Sequence, residues 1–328
     1  MIRFGTVGTN WITDIFLDAA KHHPQFSLKG VYSRSEDKAK EFAQKHDADL
    51  IFTDLEEMAS SEDIDAVYIA TPNSLHAQHA ITFMNKGKHV LCEKPFASNL
   101  AEVDEMIEVA KKNNVLLMEA LKTTFMPSFK AIRENIHKIG TVRRYNAIYC
   151  SYSSRYDAYR NGEILNAFNP NFSNGSLMDL GIYGLYPMVS LFGQPENLKA
   201  NAYMLESGVD GEGSLLFKYK EMEAVVTHSK IVNSYVDSEI QGEDGTIMFD
   251  SVNAPTKAEI RYRDGSVEVI EFTQDKPPMY YELEEFIQLL EEGKMESSVN
   301  SHEVSRITAS IMQEAREQIG LVYPADKR

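Results

Sequence analysis

The fold of this chain can be worked out from the stretch Gly87-Lys-His-Val-Leu-Cys-Glu-Lys-Pro95. Its apolar centre predicts a buried strand, which ends at Pro95 because proline cannot donate a hydrogen bond to a neighbouring strand. Ligands bind at the carboxyl ends of strands in open α/β sheets. Lys94, preceded by Glu93, is therefore a candidate for proton transfer, and the alternative is a surface lysine that follows a strand.

The sequence around this stretch alternates between strand and helix patterns. Strand-like runs cover 2–8, 26–33, 63–70, 89–93 and 115–120, and helical spacing covers 11–21, 37–45, 76–84 and 99–113. Such alternation is typical of parallel strands joined by helices. We predict an α/β fold in which residues 1–122 form a Rossmann domain, a doubly wound parallel sheet of five or six strands.

The turn after the first strand has a degenerate dinucleotide-binding pattern. It reads Gly8-Thr9-Asn10-Trp11-Ile12-Thr13. In such turns glycines let the backbone approach a pyrophosphate at a helix N-terminus. Asn10 and Thr13 replace the second and third glycines, and asparagine tolerates left-handed backbone angles, so we expect the turn to persist. Cofactor contacts are assigned to Gly8, Thr9, Asn10, Trp11 and Ile12.

The end of the second strand bears on the choice between NAD(H) and NADP(H). An NAD-specific site places a carboxylate here to bind the ribose 2′-hydroxyl, but the chain reads Tyr32-Ser33-Arg34-Ser35. Arg34, with Ser33 and Lys38, can instead hold a 2′-phosphate. We therefore predict NADP(H) as the preferred cofactor and NAD(H) as the second option. The alternative is that Arg34 is a solvated turn residue.

A second polar segment, Thr71-Pro72-Asn73-Ser74-Leu75-His76, follows the strand at 63–70. Asn73 or Ser74 is expected to cap the following helix. His76 lies in the first turn of that helix, where it either faces the cofactor or completes the cap. We favour contact with the cofactor. Thr71, Pro72, Asn73 and Leu75 of the same segment are assigned to the cofactor site, as are Glu93 and Lys94 at the end of the next strand.

The second half of the chain has a different pattern. Strand-like runs follow one another without helices between them at 142–151, 198–206, 213–219, 222–231, 235–241, 246–250, 257–262 and 266–272. Asp264-Gly265 predicts a hairpin turn. Two helices, 279–294 and 301–319, close the chain, and the acidic residues of the first, Glu282 among them, are expected on a solvated face. Residues 123–328 should form an α+β domain with a large, mainly antiparallel open sheet, and self-association through this sheet, first as a homodimer, is expected.

A helix predicted around Ser176-Leu-Met-Asp-Leu-Gly-Ile-Tyr-Gly184 contains candidate active-site residues. Asp179 and Tyr183 are four residues apart and share a face of the helix. A capping box between Ser176 and Asp179 is the structural alternative for the aspartate. Glycines at 181 and 184 weaken a helix by about 1 kcal/mol each, so they indicate close approach of another backbone or of a ligand.

Composition limits the class of protein. The 328 residues carry a net charge of −16, which disfavours nucleic acid and anionic membranes as partners. Neither a run of 18 apolar residues nor a secretory leader is present, so a cytoplasmic location is expected. Cys92 and Cys150 are expected to be buried reduced thiols. The pattern lacks His-Glu-x-x-His and Cys-x-x-Cys motifs, so no metal is predicted, and a metal-dependent hydrolase or lyase is disfavoured.

Two motifs together resemble one known family. Ala70-Thr-Pro-Asn-Ser-Leu-His76 and the Gly87–Pro95 stretch are similar to the signature of the glucose-fructose oxidoreductase, inositol dehydrogenase and rhizopine-catabolism (Gfo/Idh/MocA) family, and the resemblance covers the whole chain. It implies that Lys94 contacts both the nicotinamide ribose and the substrate. It also implies dimers or tetramers built through the second sheet. Asn10 departs from the usual glycine.

The Asp179-x-x-x-Tyr183 pattern resembles one branch of that family, which includes dimeric dihydrodiol dehydrogenase and NADP-linked xylose dehydrogenase. In that branch the tyrosine is the acid/base. A free phenol has a pKa of about 10, so a neighbouring cation is needed, and Lys94 is the expected one. The resemblance thus implies hydride transfer between nicotinamide and a carbinol carbon of a sugar, polyol or cyclic diol, with Asp179 orienting the substrate or Tyr183.

Substrate contacts are predicted from two further segments. Glu119 to Pro127 connects the predicted domains, and Glu119 is assigned to the cofactor site, while Lys122 and Thr124 stand where relatives have Trp and Arg. The polar loop from Arg155 to Asn174 is expected to be a lid or specificity segment, and the alternative is an ordinary surface loop. A non-enzymatic NADP(H)-binding regulator is the alternative function, which would have no need of Lys94 together with Tyr183.

Overall fold

The computed structural model describes residues 1–327, which fold into two compact units, each built on one sheet. The first unit comprises Met1–Lys122 and Lys276–Arg306, and the second comprises Thr123–Asp275 and the chain from Ile307 onward. The unit division therefore differs from the expected one in a single stretch. Lys276–Arg306, expected in the second domain, returns to the first because its apolar residues pack there, as shown by Phe286, whose ring lies 5.9 Å from that of Phe4.

The sheet of the first unit is parallel and has the strand order β3-β2-β1-β4-β5-β6. Its strands are β1 (Ile2–Val7), β2 (Phe26–Tyr32), β3 (Leu50–Phe52), β4 (Ala66–Ile69), β5 (His89–Glu93) and β6 (Leu117–Ala120). This is the order of the doubly wound dinucleotide-binding fold, so the predicted fold class is confirmed. The strand that periodicity missed is β3, which at three residues is too short to show a pattern.

Helices connect these strands and are capped by local side chains. They are α1 (Trp11–Ala20), α2 (Glu36–His46), α3 (Leu55–Ser60), α4 (His76–Met84) and α5 (Leu100–Asn113). The side chain that precedes α1, α2, α3 or α5 accepts a hydrogen bond from the first turn of its helix. The expected cap of α4 is wrong, because Asn73–Leu75 form a 3-10 turn and the cap residue Leu75 makes no side-chain hydrogen bond.

The sheet of the second unit has the order β14-β13-β12-β11-β7-β10-β9-β8. Its strands are β7 (Val142–Cys150), β8 (Asn197–Met204), β9 (Asp210–Lys218), β10 (Glu223–Ser229), β11 (Ser238–Gly242), β12 (Gly245–Phe249), β13 (Ala258–Tyr262) and β14 (Val267–Val269). Neighbours are antiparallel except β7 and β10. Gly265 has φ +89° in the turn between β13 and β14, so both the mainly antiparallel sheet and the predicted hairpin are confirmed.

The remaining helices are α6 (Pro127–Asn135), α7 (Tyr156–Arg160), α8 (Ile182–Phe192), α9 (Pro278–Glu291) and α10 (His302–Ile319). Helix α8 covers one face of the second sheet, where the Tyr145 hydroxyl donates to the carbonyl oxygen of Gly184 at 3.1 Å.

Both cysteines are free thiols, and Cys92 is buried as expected, whereas Cys150 is only half-buried. Across residues 1–327, each helix is too short or too polar to cross a membrane.

Candidate active site

The carboxyl ends of the first sheet's strands line up at one edge. The register pairs Val7 with both Tyr32 and Ile69, Ile69 with Cys92, and Glu93 with Ala120. The segments after β1, β2, β4 and β5 therefore emerge side by side. The predicted cofactor residues belong to these segments, to the helices that follow them, or to the ends of β5 and β6: Gly8, Thr9, Asn10, Trp11, Ile12, Ser33, Arg34, Lys38, Thr71, Pro72, Asn73, Leu75, His76, Glu93, Lys94 and Glu119.

The turn after β1 requires glycine at one position and a polar side chain at another. Gly8 has φ +115°, and a Cβ atom there would lie 2.7 Å from the carbonyl oxygen of Ala70. Asn10 caps α1, with its Oδ1 accepting from the amide of Ile12 at 2.9 Å and its Nδ2 donating to Ala70 at 2.5 Å. The φ angle of Asn10 is −97°, so the turn does not use the left-handed angles that asparagine tolerates. Asn10 thus serves this turn through its side chain, and the N-terminus of α1 remains accessible.

The segment after β2 presents positive charge without a carboxylate among residues 33–35. The side chains of Arg34 and Lys38 are exposed, and the backbone between them is held by Ser35, whose hydroxyl accepts from the amide of Lys38 at 3.4 Å. Glu36, the nearest acidic residue in sequence, is paired with Lys40 at 2.6 Å. A phosphate group at this position would meet a guanidinium and an ammonium, which fits a 2′-phosphate.

His76 is a structural link between two of these segments. It is 1% exposed, and its ring nitrogens lie 2.9 Å from the carbonyl oxygen of Pro95 and 2.8 Å from that of Thr71. Two carbonyl acceptors favour a charged ring, but burial outweighs them and lowers the pKa, and the charge of Lys94 acts in the same direction. Both ring nitrogens of His76 are thus engaged by the backbone on either side of the site.

Two buried carboxyl groups hold the backbone around Lys94, which precedes a cis peptide bond to Pro95. Glu93 accepts a hydrogen bond from the Tyr68 hydroxyl and, at 3.2 Å, one from the amide of Lys94. Glu119 accepts from the amide of Phe96 at 3.0 Å. Burial raises the pKa of Glu93 and raises that of Glu119 to about 8. Both carboxyl groups therefore position the segment that carries Lys94.

Glu282 corrects the prediction of a solvated acidic face on α9. It is 0% exposed, and within residues 1–327 neither of its carboxyl oxygens has a hydrogen-bond partner. Burial, and then the negative charge of Glu93, raise its pKa well above the ordinary value. The spacing contained the signal, because Glu282 lies three and four residues from the apolar positions Met279 and Phe286 and so shares their buried face.

In the second unit, Asp179 and Tyr183 lie where a π-helical turn, Leu177–Gly181, runs into α8. Such turns occur frequently at functional sites. The capping box, which was the structural alternative for Asp179, is absent here, because the Ser176 hydroxyl lies 2.9 Å from Nδ1 of His228 and makes no cap hydrogen bond. Asp179 is instead paired with Lys230, whose Nζ lies 2.8 Å from Oδ2.

Two residues close to Asp179 and Tyr183 were not predicted from the sequence. Lys230 is 2% exposed at the end of an apolar strand. A lysine in that position was the signal that could have indicated a buried charge with a specific partner. Tyr149 lies edge-on to Tyr183, with ring centroids 5.6 Å apart, and its hydroxyl accepts from Nδ2 of Asn253 at 3.0 Å. Tyr183 itself is 9% exposed.

The two glycines of this helix face the sheet. A Cβ atom at Gly181 would lie 3.1 Å from the His228 ring, and one at Gly184 would lie 2.7 Å from Cγ1 of Val226. The close approach expected from the sequence therefore exists, but the neighbours are side chains, those of β10 among them, and not another backbone. The glycines bring the Asp179 turn down onto the sheet.

Ser176, His228 and Asp210 form a buried cluster that lacks the geometry of a nucleophilic triad. Ser176 and Asp210 both approach the same ring nitrogen of His228, at 2.9 and 3.8 Å. Burial lowers the pKa of His228 to about 3 and raises that of Asp210 to about 6. Asp210 accepts from the amide of Leu177 at 2.6 Å, so the cluster supports the start of the π-helical turn.

The segment expected to be a polar lid contributes apolar side chains to a small hydrophobic cluster. Phe168 and Ala167 are buried against Leu205 and Val209, and the tyrosines of α7 pack beside them. This 151–176 loop, the chain between β7 and the Leu177 turn, is therefore folded onto its own unit.

Within residues 1–327, no cluster of three or more His, Cys, Asp or Glu side chains is arranged to hold a metal ion.

Comparison with known proteins matches both halves of the chain to one family. The model of the Gfo/Idh/MocA oxidoreductases with an NAD-binding Rossmann fold matches residues 2–121, and the C-terminal domain model of the same family matches residues 129–248. The chain is 59% identical over 327 residues to scyllo-inositol 2-dehydrogenase (NADP(+)) of Bacillus subtilis (strain 168), covering 100% of both chains.

More distant relatives agree with these matches. Trans-1,2-dihydrobenzene-1,2-diol dehydrogenase of Xenopus tropicalis is 30% identical, over 98% of this chain and 99% of that one. A crystal structure of a 3-ketoreductase from Actinomadura kijaniata with NADP and TDP-benzene superposes with a TM-score of 0.84, at 22% identity, over 97% of this chain and 98% of that one. The last comparison establishes the fold.

Proposed function

Since the chain belongs to the Gfo/Idh/MocA family of NAD-binding oxidoreductases, we propose that it is an NADP(H)-dependent dehydrogenase of cyclic polyols or sugars. The observation that carries this proposal is the 59% identity, over the full length of both chains, to an NADP-dependent scyllo-inositol dehydrogenase. Inositols are therefore the first substrates to test, ahead of aldoses and trans-diols.

The residues at the carboxyl edge of the first sheet fit this cofactor. Gly8 leaves the backbone open beside the N-terminus of α1, where a pyrophosphate would bind. Arg34 and Lys38 would bind the 2′-phosphate, which accounts for the absence of a carboxylate at the end of β2. When bound, the nicotinamide supplies the hydride chemistry.

Proton transfer is assigned to the chain itself. We infer that Tyr183 would accept the proton of the substrate's carbinol hydroxyl group in the oxidation and return it in the reverse reaction. Lys94 supplies positive charge to the reacting oxygen, and Asp179 orients the substrate. The buried carboxyl groups of Glu93 and Glu119, together with the His76 ring, support the backbone from Lys94 to Phe96.

The open face of the second sheet supports self-association. Leu216 is 56% exposed in the middle of β9, where it pairs with Val225 of β10, and Tyr203 is 60% exposed on β8. Exposed apolar side chains on a sheet face often mark a surface that another layer covers. We infer that a second copy of this chain covers the face, as a homodimer or as half of a homotetramer.

The proposal is tested by NADP(H) turnover with a panel of inositols, aldoses and trans-diols, for the wild type and for Tyr183→Phe. We expect Tyr183→Phe to lower kcat by roughly 100-fold or more, because the acid/base is lost. Tyr235→Phe removes the hydroxyl of a tyrosine of the same unit that is 94% exposed, and it is expected to retain turnover. NADPH binding is measured separately as energy transfer from Trp11, the sole tryptophan of the chain, which lies in the first turn of α1.

The outcomes separate the enzyme from the alternative. Turnover of a polyol that disappears in Tyr183→Phe, with Trp11 still reporting NADPH binding, supports the dehydrogenase. Binding of NADPH with no turnover of any panel member supports a non-enzymatic NADP(H)-binding regulator. Near-normal turnover in Tyr183→Phe contradicts the acid/base assignment.

A further inference from the structure

We propose that Lys230 is a positioning residue that holds Asp179 in place for the substrate and ties the 151–176 loop to the same point. The inference extends the proposed function, because it takes Asp179 as a substrate-orienting group. It rests on contacts within the second unit alone.

The ammonium group of Lys230 is surrounded by specific partners. The residue is 2% exposed, and its Nζ donates to Oδ2 of Asp179 at 2.8 Å and to the carbonyl oxygen of Ala167 at 3.2 Å. The ring of Phe168 lies 5.2 Å from the same nitrogen. A buried cation is strongly unfavourable unless it is paired, so Lys230 holds the Asp179 carboxylate in this position as an anion.

The two ends of the ion pair differ in accessibility. The Lys230 side chain is 3% exposed, whereas the Asp179 side chain is 38% exposed. Lys230 therefore holds the carboxylate on its buried side, while the exposed side of the carboxylate remains accessible. A paired carboxylate of this kind is a fixed hydrogen-bond acceptor, which suits it to substrate hydroxyl groups rather than to carrying protons.

Lys230 also binds the loop through its backbone. Its carbonyl oxygen accepts from the amide of Ser153 at 2.9 Å, and its own amide donates to Gly211 of β9 at 2.9 Å. One residue therefore contacts the loop near its start, at Ser153, and again at Ala167. A change at Lys230 should move the loop and the carboxylate together.

The experiment compares Lys230→Met and Lys230→Arg with the wild type and with Lys220→Met, an exposed lysine of the same unit. We expect Lys230→Met to reduce kcat/KM for the polyol roughly 100-fold, since small misplacements of orienting groups have effects of that size. NADPH binding, read from Trp11, should stay within about twofold, because the pair binds substrate and not cofactor. Lys220→Met should match the wild type, and Lys230→Arg should recover part of the loss.

The Asp179→Asn background distinguishes positioning from a general structural effect. If Lys230 acts through Asp179, adding Lys230→Met to Asp179→Asn should lower kcat/KM by less than about threefold. The double variant also removes both partners, so it should fold better than Asp179→Asn alone, which leaves the buried Lys230 cation without its carboxylate partner. Losses that multiply in the double variant, or a folded Lys230→Met with near-normal kcat/KM, would overturn the inference.

A second readout does not depend on the proposed activity. Trypsin should cleave the chain after Arg155 and Arg160 faster in Lys230→Met than in Lys220→Met. The reason is that the loop of Lys230→Met has lost its contact at Ala167. Equal cleavage rates overturn the connection to the loop. If the wild type turns over no polyol but the cleavage rates differ, the proposed function fails and the role of Lys230 in holding the loop stands.

Discussion

At the scale of single residues, the most unusual feature is the carboxyl groups buried near Lys94. Glu93, Glu119 and Glu282 are all buried, and burial raises the pKa of each. A carboxyl group whose pKa is raised by folding binds its proton more tightly in the folded protein than in the unfolded chain. These groups therefore link stability to pH.

Glu119 provides a test of this linkage. Its pKa rises from 4.5 in the unfolded chain to about 8 in the folded protein. For an acid with a raised pKa, the stabilising contribution is complete below the unfolded value and is lost as pH rises through the folded value. Glu119→Gln cannot titrate, so its stability should fall less than that of the wild type between about pH 5 and pH 8.

Urea unfolding midpoints measured across this range check the prediction. Glu303→Gln, an exposed glutamate of the same unit, is the matched control and should keep the wild-type slope. Identical slopes for Glu119→Gln and the wild type would show that Glu119 is ionised in the folded protein.

At the scale of elements, the packing of α8 on the second sheet depends on a residue without a side chain. A Cβ atom at Gly184 would lie 2.7 Å from Cγ1 of Val226 and 3.2 Å from Cβ of Ala147. Gly184→Ala gains about 1 kcal/mol of helix propensity, but overpacking of this kind costs about 1–3 kcal/mol. We expect a net loss of up to about 2 kcal/mol in the free energy of unfolding.

The matched test combines Gly184→Ala with Val226→Ala, which makes room for the new methyl group. In urea unfolding, the double variant should be more stable than the sum of the single changes predicts. Strict additivity would mean that Val226 and the introduced methyl group do not meet.

At the scale of the whole molecule, assembly depends on the exposed face of the second sheet. Leu216→Lys places a charge among neighbours such as Val225, which a subunit interface cannot bury unpaired. We expect the variant to shift toward monomer in light scattering coupled to size-exclusion chromatography. Ile164→Lys changes a comparably exposed apolar residue of the 151–176 loop and should keep the wild-type mass. An unchanged mass for Leu216→Lys would place any interface elsewhere.

Much of the fold was predictable because the deciding signals are local. Strand and helix periods, the Asp264-Gly265 turn and the end of β5 before Pro95 depend on neighbouring residues, and the doubly wound sheet follows from the alternation of strands and helices. The candidate cofactor positions follow from the same rules, because carboxyl ends of parallel strands meet at one edge. The roles of those residues stay predictions until cofactor binding is measured.

The sequence by itself was sufficient for the two sheets, the family and the residues at the carboxyl edge, since each depends on short-range pattern or on motif. Tertiary structure alone decided the pairing of Lys230 with Asp179, which are 51 residues apart, and the return of α9 to the first unit, which buries Glu282. The physical reason is that burial and ion pairing depend on which distant segment supplies the partner, and residue spacing carries no information about that.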